Sequence, residues 1–190
     1  HTEILGDTIE KIAIEKGGII KNNVPVIIGE KLEETSKVFL QIATERNASL
    51  IFAEDILETI NIETNYIDNL KVTFKNNTNN TIWTIQTDLT GIYQINNLKT
   101  TIASCALLEN KIKLNEKNIL EGLKTVKKST GLRGRWDVIS KKPLIICDVA
   151  HNEHGFKKIV EQIKNIEYKN LHIIIGFVKE KNINKILELL

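Results

Sequence analysis

A lysine inside an apolar helix stripe, an aspartate followed by two histidines at intervals of three, and two arginines flanking a glycine could each do chemistry. Lys16 stands where Ile9, Ile12 and Ala13 predict another apolar side chain. Its stem could snorkel its ammonium to solvent. Alternatively, desolvation or neighbouring charge could leave the amine neutral and able to take up carbon dioxide, giving an anionic carbamate suited to a hard cation. Asp148, His151 and His154 cross a strand-to-helix turn. They could hold a metal; Asp148 could accept hydrogen bonds from a ribose while Asn152, Glu153 or His154 caps the helix; or Asp148 and Asn152 could only satisfy turn backbone. Arg133 and Arg135 read either as solvated linker cations or as a phosphate clamp between domains. Gln94, Asn96 and Asn97 open a helix, where they could cap it or offer a donor and an acceptor to an adenine edge.

The elements that must position these residues alternate. Asp7 and Glu10 have capping-box spacing and Gly17-Gly18 a stop, which predicts a helix over 8–17. Val24 to Ile28 predicts a buried strand, Leu32 to Arg46 a helix with Leu32, Phe39, Ile42 and Ala43 inward, and Leu50 to Ala53 a second strand. That order predicts a parallel α/β sheet. Leu70 to Phe74 and Thr81 to Thr87 predict an antiparallel hairpin across an asparagine-rich turn, an appendage rather than a domain. Ile95, Leu98, Ile102 and Cys105 mark one helix; Ile119, Leu120, Leu123 and Val126 mark another starting near Asn115. Ser129 to Gly134 reads as a linker. Beyond it, strands at Pro143–Val149 and Leu171–Phe177 alternate with helices bearing Phe156, Ile159, Val160, Ile163 and Ile166, then Ile183, Ile186, Leu187 and Leu190. This is the opening of a doubly wound domain, whose ligands sit beyond the carboxyl ends of the strands.

The 26 basic and 24 acidic side chains nearly balance over 190 residues, which gives no global field for nucleic acid or anionic membrane. No apolar run reaches the ~20 residues of a bilayer span, and no signal peptide is evident, so a cytoplasmic location is expected. Cys105 and Cys147 read as two buried reduced thiols. The opening histidine, the lack of methionine and an uncapped final helix predict a piece of a longer polypeptide.

Read in order, His1, the run Glu15–Lys21 (E-K-G-G-I-I-K), G-x-Y-Q-x-x-N over Gly91–Asn97, Gly134-Arg135 and D-x-A-H-N over Asp148–Asn152 resemble the successive signatures of folylpolyglutamate synthases and dihydrofolate synthases, of the Mur ligase family. The resemblance covers essentially the whole chain. It implies an α/β protein in which residues 1–130 are the C-terminal part of the central ATP-binding domain and 131–190 the start of a Rossmann-like C-terminal domain. The implied reaction activates a folate or dihydropteroate carboxylate with ATP as an acyl phosphate, which the amine of L-glutamate attacks; magnesium neutralises phosphate charge. By the same resemblance His1 is a magnesium ligand, Lys16 the carbamylated lysine, Asn97, Arg135 and Asp148 hold ATP, and His151 lies near the reacting groups. The intact protein is expected to be a monomer.

The chain departs from the family pattern at Gly18 (often alanine), Tyr93 (often histidine), Arg133 (usually proline) and Val149 (usually small), and Glu180-Lys181-Asn182 alters both acidic positions of a D-K-D. No glycine-rich phosphate loop is present; the family places it, with a second magnesium ligand, upstream of His1, so this stretch alone is expected to be inactive. Rival readings are a cell-wall Mur ligase using a nucleotide-linked muramyl acceptor and a catalytically dead binding module. A nicotinamide-dependent oxidoreductase is disfavoured because no G-x-G-x-x-G follows either C-terminal strand.

Overall fold

The computed structural model describes residues 8–109, 111–177 and 184–190. His1 and Asp7 lie outside them. The chain divides into two compact units, one of residues 1–59, 74–83 and 96–115, the other of 60–73, 84–95 and 116–190.

In the first unit, helix α1 (Ile9–Gly17) is capped by Thr8, whose hydroxyl accepts from the Lys11 amide at 3.2 Å. The observed cap is thus one residue later than the aspartate expected. The buried positions are Ala13 and Gly17, followed by Ile20, while Ile9 and Lys16 are exposed. Lys16 therefore does not continue the inward stripe. Gly17 does, because a Cβ there would stand 2.4 Å from Ile42 Cδ1, and its absence lets α1 lie close against helix α2 (Glu33–Glu45). Strands β1 (Val26–Ile28) and β2 (Leu50–Phe52) pair in parallel, Val26 opposite Leu50 and Ile28 opposite Phe52. Ala13, Ile20 and Phe39 form the centre of this core, with Val26, Ile28, Val38, Ile42 and Leu50 packed around them. Leu32 is a half-exposed cap rather than a core residue. A one-turn helix α3 (Ala53–Ile56) follows β2.

Strands β3 (Leu57–Thr64), β4 (Leu70–Asn76) and β5 (Ile82–Thr87) form a sheet in that order. The expected hairpin is present as β4 and β5, whose short connection requires opposite strand directions, and β3 adds a strand the sequence did not announce. Leu70, Val72 and Phe74 alternate into the interior with no exposed surface. At the tip, Asn76 Oδ1 accepts from the Thr78 amide at 2.8 Å, Asn79 Oδ1 accepts from that of Thr81 at 3.0 Å, and Asn80 has φ +58°. Asn23 and Asn47 are also left-handed, at φ +59° and +48°. The other non-glycine residues in this region, among those described, are Tyr66 and Trp136.

Helix α4 (Gln94–Leu108) buries Ile95, Leu98 and Ile102 as expected. Cys105 is only half-buried, where burial raises its thiol pKa, and Cys147 is exposed, so the expected pair of buried thiols is not observed.

The second unit holds helices α5 (Glu116–Lys124) and α6 (Val126–Thr130), which takes Ser129 and Thr130 out of the expected linker; the antiparallel pair β6 (Asp137–Lys141) and β7 (Leu144–Cys147); and helix α7 (Glu153–Ile163). A last turn, α8 (Asn184–Leu187), closes the described chain. Strand β7 is mostly exposed rather than buried. Residues 171–177 carry no strand, and Ile174 is fully exposed. The physical reason lies in the ladder: an apolar run becomes a buried strand only when neighbours satisfy its backbone, and no described strand pairs with this one. Among the described residues no helix is long and apolar enough to cross a membrane.

Candidate nucleotide site

The turn after β7 and the residues before β6 converge on one carboxylate in the second unit. Asp148 Oδ2 accepts the Tyr93 hydroxyl at 2.6 Å and the Trp136 amide at 2.7 Å, and Oδ1 accepts the Ala150 amide at 2.8 Å. Trp136 is 1% exposed and held at φ +47°, a backbone region costly for a bulky residue. Its fixed partners sustain it: Nε1 donates to the Tyr66 carbonyl at 2.7 Å while its amide meets Asp148. Gly134 sits at φ +68°, and a Cβ there would come within 2.5 Å of Val149 Cγ1. The Gly134 carbonyl accepts from the Val149 amide at 2.9 Å, tying the two motifs together. Glycine is demanded twice over, by dihedral and by space.

Burial first, then the bond to Asp148 and its negative charge, push the Tyr93 phenol far above its ordinary pKa, against the opposing Arg135 charge. Tyr93 is accordingly a permanent donor. Its loop is clamped by Gln162, which is 2% exposed: Oε1 accepts from the Ile92 amide at 2.7 Å and Nε2 donates to the Thr90 carbonyl at 3.0 Å. A polar residue beside the apolar stripe of α7 was the available signal for this clamp.

Asn152 caps α7, its Oδ1 accepting from Gly155 N at 2.8 Å, as one of the three expected candidates. His151 is exposed with Nδ1 3.2 Å from the Val149 carbonyl, and His154 is exposed. Among the described residues no three His, Cys, Asp or Glu side chains group to hold a metal, so the metal reading of Asp148, His151 and His154 finds no support. Arg135 is exposed. Arg133 is 82% exposed at its side chain and reaches Asp137 Oδ2 only at 3.6 Å. Asn97, also exposed, belongs to the first unit, where its neighbour Asn96 donates to Glu30 at 2.6 Å.

Asp137 was missed because an aspartate next to a tryptophan carries no spacing signal. Burial would raise its pKa, but the Gly134 amide, Lys127 (Nζ at 3.4 Å) and Arg133 outweigh that and hold it below the ordinary 3.8. A depressed carboxyl contributes stability that is present above its unfolded pKa and lost as pH falls through the folded value. Asp137→Asn should therefore melt earlier than the parent above about pH 4, and the gap between their melting curves should close at lower pH. A gap that persists undiminished at pH 2 would show that the charge is not what Asp137 contributes.

Comparison with known proteins bears on what this arrangement belongs to. Residues 134–190 match the family model "Mur ligase, glutamate ligase domain". The dihydrofolate synthase/folylpolyglutamate synthase of Haemophilus influenzae is 29% identical over 99% of this chain and 43% of its own length. The crystal structure of folylpolyglutamate synthase from Thermotoga maritima superposes with a TM-score of 0.75 and 27% identity, over 96% of this chain and 42% of that one. The chain is similar to folylpolyglutamate synthases and dihydrofolate synthases along nearly its whole length. It spans about two-fifths of the length of the curated relatives it matches. A folylpolyglutamate synthase complex with AMPPCP and folate shares the fold at TM-score 0.75 and 24% identity, covering 86% of this chain and 39% of that one. The mixed α/β architecture is thus that of folylpolyglutamate synthases. In this chain, two of the motifs read in the sequence, G-x-Y-Q-x-x-N and D-x-A-H-N, are joined through the bond from Tyr93 to Asp148.

Proposed function

We propose that the chain is part of a cytoplasmic, monomeric ligase that uses ATP to join L-glutamate to the carboxylate of a folate or dihydropteroate. The supporting observation is similarity along nearly the whole chain to proteins named dihydrofolate synthase/folylpolyglutamate synthase. Residues 1–130 are assigned to the central domain and 131–190 to the C-terminal one.

The donor set of the second unit fits a nucleotide. Asp148 uses three of about four acceptor positions internally and retains one for a ribose hydroxyl. Arg135 is exposed and suited to a phosphate. Asn97 is assigned to ATP and His151 to the neighbourhood of the reacting groups on family position. The described residues do not by themselves form a magnesium site. The assignments of His1 to magnesium and of a carbamate to Lys16 rest on family position alone, and Lys16 stands exposed in the last turn of α1.

The test is ADP release by the intact protein. It should require both glutamate and a pteroate or folate acceptor; release driven by a nucleotide-linked muramyl substrate would move the protein to the cell-wall ligases. Within that assay, Arg135→Ala should slow ligation by about 10²-fold with little change in melting temperature, because an exposed guanidinium contributes in the reacting state rather than to the core. Arg133→Ala, carrying one long ion pair, should not. The reverse ranking would mean that the other arginine meets phosphate.

A further inference from the structure

The two oxygens of Asp148 are unequally occupied. Oδ2 is saturated by the Tyr93 hydroxyl and the Trp136 amide; Oδ1 has the Ala150 amide and one open position. Of the three donors only Tyr93 is a side chain. The space its ring occupies is left by Gly91, where a Cβ would lie 2.8 Å from Tyr93 Cε1 and Cζ. Its loop is fixed by the buried Gln162. The glycine and tyrosine of G-x-Y are therefore one device, aimed at a carboxylate 55 residues further along the chain.

We propose that Tyr93 is a positioning residue for nucleotide recognition: its hydroxyl pins Oδ2 of Asp148 so that Oδ1 presents a single acceptor to one hydroxyl of the nucleotide sugar. A carboxylate held at both oxygens cannot rotate to chelate two hydroxyls, so recognition is through one. The inference rests on the assignment of Asp148 to the ribose.

The experiment compares Tyr93→Phe, Tyr93→His and Asp148→Ala with the parent in the intact protein, measuring melting temperature and KM for ATP, 2′-deoxy-ATP, 3′-deoxy-ATP and glutamate. In the parent, removing the recognised hydroxyl should raise KM for one of the two deoxy analogues. Tyr93→Phe should raise KM for ATP about five- to tenfold, leave KM for glutamate unchanged and shrink the penalty on that one analogue. Tyr93→His keeps a ring N–H donor and should restore much of the penalty. A tyrosine that only staples two loops would lower the melting temperature in the phenylalanine variant while leaving the ratio of ATP to deoxy-ATP KM as in the parent, and that result overturns the proposal. So does a normal KM for ATP in Tyr93→Phe when Asp148→Ala has raised it. If Asp148→Ala also leaves KM for ATP unchanged, the ribose assignment itself has failed. Should the phenylalanine variant not fold, the histidine variant decides: in a folded Tyr93→His protein with parental glutamate KM, an analogue penalty reduced but still present supports the positioning role, and a penalty equal to the parent's or wholly absent overturns it.

Discussion

Trp136→Ala is expected to destabilise the protein by about 3–5 kcal/mol, the range for truncating a fully buried large aromatic residue. The ring is 1% exposed and its Nε1–H donates to the Tyr66 carbonyl, so the change removes packing and a hydrogen bond together. The backbone adds a sharper signature. At an ordinary buried site glycine is worse than alanine by about 0.5–1 kcal/mol because it loses more chain entropy. At φ +47° the order should level or reverse, since alanine retains a Cβ that disfavours the left-handed region and glycine does not. Urea denaturation of Trp136→Ala and Trp136→Gly checks both points. A midpoint close to the parent's would deny the ring its role in the core, and the usual deficit for glycine would deny that the left-handed backbone matters.

Asp148→Ala should weaken ATP binding by about 1.5–3 kcal/mol, the cost of a lost hydrogen bond to a charged group. Position at a strand end suggests that this change would leave the fold untouched. The structure revises that expectation, because the carboxylate also satisfies Tyr93, Trp136 and Ala150. Leaving those donors without a partner should cost stability as well, about 2 kcal/mol or more where water cannot replace it. Asp148→Asn separates the two roles. Its amide oxygen can take the place of Oδ2, so less stability is lost, while its NH₂ offers a donor where an acceptor was open. Equal melting temperatures for the parent and Asp148→Ala, measured without nucleotide, would show that the internal bonds carry no net stabilisation.

Much of the fold was legible because its signals are local. The parallel pair β1–β2, helices α1, α2 and α4, and the β4–β5 hairpin follow from periodicity and turn chemistry. What was not legible depends on neighbours. Lys16 fits an apolar period by count, yet the close approach that sets the buried face of α1 is made at Gly17, and a glycine contributes nothing to a hydrophobic pattern. The segments 144–147 and 171–177 read as buried because they are apolar, but burial of a strand belongs to the sheet it joins rather than to its own composition. At the candidate site, Arg135 and Asp148 could be singled out by motif. The partners of Tyr93, Gln162 and Asp137 could not, because they lie 55, 70 and 10 positions away or are backbone groups that have no signature in the sequence.

The left-handed asparagines also bear on how such a chain can change over generations. Asn23, Asn47 and Asn80 occupy backbone that other folds commonly give to glycine, and only Gly131 and Gly134 do so here among the described residues. Asparagine tolerates this region better than other side chains while retaining an amide that can bond its own turn. Exchange between the two residues is therefore a low-cost path at Asn23, Asn47 and Asn80. It is closed at Gly134, where any side chain would collide with Val149. Substitution in this lineage should accumulate at the three asparagine turns and stall at the turn that carries Arg135.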